Sequence, residues 1–280
     1  MPTQPPSLIL DILSPNRKKI LISETRTYFM DSQSSPSGNA TEPCPLCLSK
    51  QLKILFSLKA EQFVRCKNCL LTHINPKPES GIIRSTYLDN YSKSYEKKSE
   101  KKIKRARRYV RRMERQLKRK GRWLDVGCSA GFIVKASKDS GFESYGIDVD
   151  PEGIAYAKSF LSLSNVKIGT IENTSFETES FDVISAYDVI EHVEDIHSFT
   201  ARLKELLAPE GIIDLITPNI EHWSVPKDLK IWKEIKPSEH LYYFSKKNLK
   251  QLLEEHGLQI LKIRFTLKAT LKVLITHTKN

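Results

Sequence analysis

Apolar positions along this chain change their period near residue 122. From about Glu96 to Lys120 they fall at Ile103, Ala106, Val110, Met113 and Leu117, spacings of three and four that set them on one stripe of a helix with Lys and Arg around the rest. Gly121 is expected to end that helix. Beyond it, short apolar runs alternate with amphipathic stretches. The runs are Trp123 to Val126, Tyr145 to Ile147, Val166 to Ile168, Phe181 to Ala186 and Gly211 to Ile216. Helices are predicted between them: from Pro151 to about Leu161 behind an Asp150 cap, from Asp195 to Leu207 with Ile196, Phe199, Leu203 and Leu206 inward, and from Ser245 to His256 closed by Gly257. Such alternation predicts an α/β domain with a parallel sheet covered on both faces. Two final runs between Leu258 and Thr278 have no helix between them and are expected to pair antiparallel.

The first 41 residues show no sustained period, and Asp31 to Asn39 is rich in Ser, Gly and Pro, so residues 1–41 are read as a flexible leader. Residues 42–80 hold four of the five cysteines as Cys44-Pro-Leu-Cys47 and Cys66-Lys-Asn-Cys69, eighteen residues apart. That spacing is the pattern of a ribbon-type tetrahedral zinc site, with a two-stranded hairpin bringing the two knuckles together. All four positions are thiolates, so no coordination site stays open and the metal is expected to be structural. Residues 81–121 are assigned to a lid and the basic helix, and 122–280 to the α/β domain. Tyr87, Tyr91 and Tyr95, at intervals of four, suit a lid or the side of a helix.

With 39% hydrophobic and 28% charged residues the chain is an ordinary globular one. No apolar run is long enough to span a membrane and no signal peptide opens it, so a cytoplasmic location is expected. The net charge of +12 is local. Between Lys93 and Arg122 there are 16 basic and 3 acidic residues, which leaves 29 basic and 30 acidic elsewhere. The helix from Lys101 to Arg112 therefore serves as a solvated face, or meets an acidic small molecule or RNA.

Asp125-Val-Gly127-Cys-Ser129-Ala-Gly131 follows a predicted strand and opens a predicted helix at Phe132. At the carboxyl edge of a parallel sheet, such a turn lets a ligand rest against backbone N–H groups and a helix N-terminus. Asp148 lies twenty-one residues beyond Gly127 and ends the second strand, about where a carboxylate reaches the hydroxyls of a ribose. A nucleoside-containing cofactor follows. The dinucleotide fingerprint fails at Ser129 and Phe132. A nucleophile elbow fits Gly127-Cys-Ser129-Ala-Gly131 formally, with Asp214 and His240 in the required order, but only a cysteine ribbon and a charged helix precede the strand. Cys128 is read as a packing residue.

Leu124 to Gly131, Gly146-Ile-Asp148, Phe181 to Val193, Leu206 to Gly211 and Ile216-Thr-Pro-Asn219 together resemble the ordered motifs of class I S-adenosylmethionine-dependent methyltransferases. Within that class the chain is similar to ubiquinone-type O-methyltransferases and zinc-ribbon sugar C-methyltransferases, the latter also through Phe63 to Cys66, Asn75 to Pro78 and Glu239 to Ser245. The resemblance implies a Rossmann-like, seven-stranded, mostly parallel sheet with a C-terminal antiparallel pair, preceded by the small zinc ribbon. It implies that S-adenosylmethionine lies over Gly127 and Gly131, its amino group facing Asp125, its ribose held by Asp148 and its methyl bordered by Tyr187. Ser129 departs from the family's usual glycine, as does Glu210 in the turn before Gly211.

An activated methyl needs an aligned acceptor and, for some acceptors, a base for the departing proton. His192, behind Glu191, and His240, behind Glu239, are the candidates, and each would serve equally as a hydrogen-bonded structural histidine. Asp188-x-x-Glu191-His192 also resembles the Glu-x-x-Glu-His of ubiquinone-type enzymes, which implies a divalent cation near Asp188, Glu191 and His192. Trp223 and Trp232 in the segment from Asn219 to Tyr243 point to a ring-bearing small-molecule acceptor. RNA methylation, and a non-catalytic binding protein with a vestigial methyltransferase domain, are the alternatives.

Overall fold

The computed structural model describes residues 42–79, 99–117 and 119–278. The expected leader and the tyrosines at 87, 91 and 95 lie outside these residues. Among the described residues the strands form two sheets.

The larger sheet has seven strands. It is built from β4 (Arg122–Val126), β5 (Glu143–Asp148), β6 (Val166–Ile168), β7 (Phe181–Tyr187), β8 (Leu207–Pro218), β10 (Leu258–Ile263) and β11 (Thr270–His277), in the order β10-β11-β8-β7-β4-β5-β6. The five from β8 to β6 run parallel, while β11 is antiparallel to both β8 and β10, so the expected reversal at the C-terminus is present. The chain leaves β4 towards β5 and β6 and then returns to β7 on the other side. Strand order therefore reverses at β4, which opens a crevice at the carboxyl ends of β4 and β7, the general position of ligands in such sheets.

Helix α1 (Ser99–Glu114) buries Ala106, Val110 and Met113 against Trp123, Phe142, Val183 and Leu274. It is shorter than the apolar stripe predicts. Gln116 N bonds back to Met113 O at 2.8 Å, a tightened turn that ends the helix before β4, although Leu117 still packs on the same cluster. Helix α2 (Phe132–Asp139) follows the glycine turn directly, and α3 (Pro151–Ser159) starts as the sequence predicts, with the Asp150 carboxylate accepting from Glu152 N and Pro151 at the first position. Helix α4 (Ile196–Leu206) buries Ile196, Phe199, Leu203 and Leu206. Helix α5 (Lys246–Glu255) opens with a capping box between Ser245 and Asn248.

The smaller sheet is β1 (Leu52–Leu58), β2 (Glu61–Cys66), β3 (Thr72–Ile74) and β9 (Tyr242–Tyr243), all antiparallel. The predicted hairpin is β1 and β2. The other two strands extend it: β9 comes from between β8 and α5 and pairs with β3 through Thr72 with Tyr243 and His73 with Tyr242. Ser238 N donates to Glu61 Oε2 at 2.9 Å, and Lys77 Nζ donates to Glu194 O at 3.1 Å. The cysteine segment and the α/β domain are thus stitched together by backbone and side-chain bonds.

Candidate functional site

The glycine turn leaves β4 at its carboxyl end, and its geometry explains its composition. Gly127 has φ +71°, and a Cβ there would stand 2.4 Å from Val189 Cγ2. Gly131 has φ +74° and caps α2, with Leu163 Cδ1 2.7 Å from where a Cβ would be. Both need glycine for conformation and for space. Ser129 also adopts a left-handed φ of 47°, which costs a residue with a Cβ about 1–2 kcal/mol. Here lies the physical reason that a glycine suits this position better. The Ser129 N–H compensates by donating to Asp148 Oδ2 at 2.6 Å.

Asp148 ends β5 beside that turn. Its other oxygen accepts from Asp150 N at 2.8 Å, so each carboxylate oxygen is oriented by one backbone N–H and retains a lone pair for a hydroxyl donor. Burial raises its pKa, against the pull of the two N–H donors. Asp125, on β4, is buried as well. It accepts Ser185 Oγ–H at 2.5 Å, and Ser185 in turn accepts the Trp123 indole N–H at 2.9 Å. Loss of solvent lifts the Asp125 carboxyl to about 7; the Ser185 bond opposes this and the charge of Asp148 adds to it. A buried carboxylate of this kind is stabilised by an arriving cation such as an ammonium. Two acidic side chains, one oriented for hydroxyls and one poised for a cation, beside a glycine turn, fit the amino-acid and ribose ends of S-adenosylmethionine.

Cys128 is buried among Val134, Ile154, Ala157 and Leu163, and its thiol pKa is pushed well above the ordinary value by burial. It is a packing residue, as expected. The elbow reading fails on partners: both Asp214 oxygens are taken by Arg264, one also by Tyr187, while His240 rests on His192. No Asp214–His240 relay exists.

Tyr187 ends β7 at the crevice. Its hydroxyl donates to Asp214 Oδ2 at 2.8 Å, and its ring lies 4.9 Å from Tyr109 of α1, whose hydroxyl accepts from Arg105 Nη2 at 3.0 Å. The basic helix therefore carries Tyr109 and Arg105 to the crevice at the carboxyl end of β7. Sequence reading missed this, though Tyr109, the aromatic residue amid the densest charge, was its signal. The buried Arg264–Asp214 pair was missed too, since nothing local links residues 50 apart.

His192 and His240 come together because Leu241 N donates to Glu191 O at 2.8 Å, which draws the loop after β7 to the segment before β9. Their rings meet edge to face with centroids 4.6 Å apart. Glu239 O is a carbonyl and can only accept, so His192 Nδ1, 2.8 Å away, carries the proton and the lone pair sits on Nε2. Burial lowers both pKa values, that of His192 to about 4, so both rings are neutral near pH 7. Glu191 is fully buried and accepts from Thr217 Oγ1 at 2.9 Å; its Oε1 and His240 Nδ1 have no hydrogen-bond partner. Glu191, His192 and His240 each offer a ligand atom within 4.8 Å of the others. Asp188 is not part of that cluster. It is exposed, at φ 56°, with Arg105 and Lys236 among its charged neighbours. Trp232 is buried against Tyr243 and packs the core, whereas Trp223 is exposed.

The four knuckle cysteines converge. Cys44 Sγ lies 3.5 Å from Cys69 Sγ and Cys47 Sγ 3.5 Å from Cys66 Sγ, and all four sulfurs fall within 4.8 Å of one another. Tetrahedral thiolates around zinc stand about 3.8 Å apart, from metal–sulfur bonds of about 2.3 Å. The cluster can hold such a metal.

Residues 97–263 match the family described as Methyltransferase domain. The ubiquinone biosynthesis O-methyltransferase of Azorhizobium caulinodans is 34% identical over 102 residues, 35% of this chain and 40% of that protein, and its namesake from Rickettsia bellii is 33% identical over 99 residues, 34% of this chain and 41% of that protein. The chain thus spans about two fifths of the curated relatives it matches. Among solved structures, a Pyrococcus horikoshii OT3 protein superposes with a TM-score of 0.55 at 18% identity over 69% of this chain and 99% of its own. The 1,6-didemethyltoxoflavin-N1-methyltransferase of Burkholderia thailandensis, solved with 1,6-didemethyltoxoflavin and S-adenosylhomocysteine, superposes with a TM-score of 0.54 at 14% identity over 82% of this chain and all of its own. At such identities these structures establish the fold. The family match covers more than half of the 280 residues, and the chain belongs to the methyltransferase domain family.

Proposed function

We propose that this protein transfers the methyl group of S-adenosylmethionine to oxygen or carbon of a small-molecule acceptor. The observation that carries this reading is the turn from Gly127 to Gly131 with the Asp148 carboxylate fixed beside it by Ser129 N and Asp150 N. When bound, the cofactor supplies a methyl already activated by a sulfonium charge. The protein's tasks are to hold it, align the acceptor and take a proton. Asp125 would pair with the amino group, Asp148 would accept the ribose hydroxyls, and Tyr187, held by Asp214 and Tyr109, would wall the methyl region. The His192–His240 pair, neutral near pH 7, would receive the acceptor's proton at a ring nitrogen lone pair. Glu191, enclosed and bonded to Thr217, would orient the pair. The cysteine cluster would hold zinc as a structural ion, since four thiolates leave no open position.

Names among the similar proteins, a ubiquinone biosynthesis O-methyltransferase and a 1,6-didemethyltoxoflavin-N1-methyltransferase, favour a small-molecule acceptor. RNA receives no such support. No helix among the described residues is long and apolar enough to cross a membrane, and we place the protein in the cytoplasm. Calorimetric titration of the full chain with S-adenosylmethionine tests the reading. Micromolar affinity, about −8 kcal/mol, is expected, and a chain that does not bind is a vestigial methyltransferase. Mass spectrometry of metabolites in cells lacking the protein then identifies the acceptor.

A second reading rests on the geometry of Glu191, His192 and His240, which suits a divalent cation at the acceptor side. Added Mn²⁺ would raise the melting temperature, and His240→Ala would remove that rise. An unchanged melting temperature leaves the pair as a base alone.

A further inference from the structure

A cavity of about 470 Å³ opens between the hairpin of the smaller sheet and the segment after β8, apart from the glycine turn. Phe56 of β1 and Leu229 give it an apolar wall. Arg65 of β2, Lys227 and Lys230 give it three cations. None of the three forms an ion pair among the described residues. Arg65 is half-buried, and its Nε donates to Thr72 Oγ1 at 3.1 Å, which fixes the guanidinium through one edge. Lys230 Nζ stands over the Phe56 ring, 6.0 Å from its centre. Two acids also line the cavity, Asp228, which caps the short turn Leu229–Ile231 by accepting Lys230 N at 3.1 Å, and the solvent-exposed Glu221; neither is ion-paired with the three cations, which outnumber them.

Cations outside any ion pair along a concave wall, next to an aromatic face, complement an oxyanion carried on an apolar or ring-shaped body. Packed rings fill the space between the cavity and the histidine pair. Phe56 stacks on Phe63 at 4.6 Å, Phe63 meets Tyr243 at 5.9 Å, and Tyr243 meets His240 at 6.2 Å. Ile220 N donates to Phe244 O at 2.9 Å, tying the cavity's far wall to the residue after β9.

We infer that this cavity is an oxyanion site, taking a phosphate or carboxylate group through Arg65, Lys227 and Lys230. It stands independently of the methyl-transfer reading.

The test is calorimetric titration of the full chain with inorganic pyrophosphate and, separately, with benzoate. The same titrations are run on Arg65→Gln/Lys230→Gln, on Lys227→Gln/Lys230→Gln, whose residues are exposed and leave the fold intact, and on Lys104→Gln/Arg107→Gln in α1. At least one anion is expected to bind, with affinity falling at least tenfold in the two cavity variants and unchanged in the α1 variant. Binding of pyrophosphate alone assigns a phosphate group, and of benzoate alone a carboxylate on a ring; either supports the site. Heat that survives in both cavity variants, heat lost in the α1 variant, or no heat from either anion overturns it. A parallel titration with S-adenosylmethionine separates the two readings: normal cofactor binding with no anion effect sinks the anion site alone, and the reverse sinks methyl transfer alone.

Discussion

Ser185 presents its hydroxyl to the buried carboxyl of Asp125 at 2.5 Å, from the neighbouring strand of the sheet. That bond favours the ionised form, yet burial prevails and holds the Asp125 pKa at about 7. Below pH 7 the carboxyl keeps a proton that a cofactor ammonium would displace. Binding of S-adenosylmethionine should therefore release most of a proton at pH 6 and little at pH 8, and affinity should rise with pH before levelling off above the Asp125 pKa. Calorimetry in buffers of differing ionisation heat measures this directly. Asp125→Asn should abolish the proton release. A wild-type dissociation constant independent of pH between 6 and 8 would contradict the assigned role.

Asp148 is built into the turn, because Ser129 N and Asp150 N both donate to it, and its proposed role at the ribose adds a second demand on the same carboxylate. Asp148→Ala removes the acceptor for two backbone donors and for the sugar hydroxyls, each charge-assisted bond contributing about 1.5–3 kcal/mol. Cofactor affinity should fall ten- to a hundredfold or more while the chain stays folded by circular dichroism. Asp148→Asn, which keeps one acceptor, should fall less. Equal affinity in the alanine variant and wild type would move the ribose elsewhere.

What could be read in advance divides along physical lines. Local signals held: the Asp150–Pro151 start of α3, the Ser245 cap of α5 and the turn between Gly127 and Gly131 each depend on residues within a few positions of one another. The mostly parallel sheet with its antiparallel C-terminal pair and the convergence of the four cysteines followed because several such signals occur in sequence, whereas the order of the strands did not. Tyr242–Tyr243 is a strand of two residues, too short to show a period, and only its pairing with Thr72 and His73 makes it one. The Asp214–Arg264 pair and the meeting of His192 with His240 arise from strand register and a single backbone bond from Leu241 to Glu191, neither of which any local pattern encodes.

Because β9 pairs with β3, damage to the cysteine cluster should be felt beyond the knuckles. Cys66→Ser removes one of four thiolates and should release zinc, measured by a chromogenic chelator. Amide exchange should then accelerate at Tyr242 and Tyr243 along with β2 and β3, while the β4 and β7 amides keep their protection. Full zinc content in the variant would refute the cluster, and unchanged exchange at Tyr242 would refute its coupling to the α/β domain.

Asp214 is fully buried and faces the Arg264 guanidinium through both oxygens. Removing one partner of such a pair strands the other charge at a cost of about 3–5 kcal/mol. Arg264→Ala should therefore lower the denaturation midpoint sharply. It should also loosen Tyr187, whose hydroxyl depends on Asp214. Arg264→Ala combined with Asp214→Asn should recover part of the loss, because no buried charge is then left over. If the double variant is no more stable than the single one, charge burial is not the source of the penalty.

The histidine pair makes the opposite kind of demand. Burial presses the His192 pKa down to about 4, while in the unfolded chain it returns to about 6.5. Above pH 6.5 neither state takes up a proton at this ring. As pH falls through 6.5 the unfolded chain is protonated first, so stability declines across the interval down to about 4 and then levels off. A shift of that size corresponds to a loss on the order of 3 kcal/mol. Carboxylates titrate in the lower half of the same interval, so the informative quantity is the difference between wild type and His192→Gln in urea midpoints at pH 7, 6, 5 and 4. Wild type should lose its advantage over the variant progressively, beginning near pH 6.5. Parallel curves for the two proteins would mean that the His192 pKa is the same in the folded and the unfolded chain, and that burial does not hold the ring neutral in the fold.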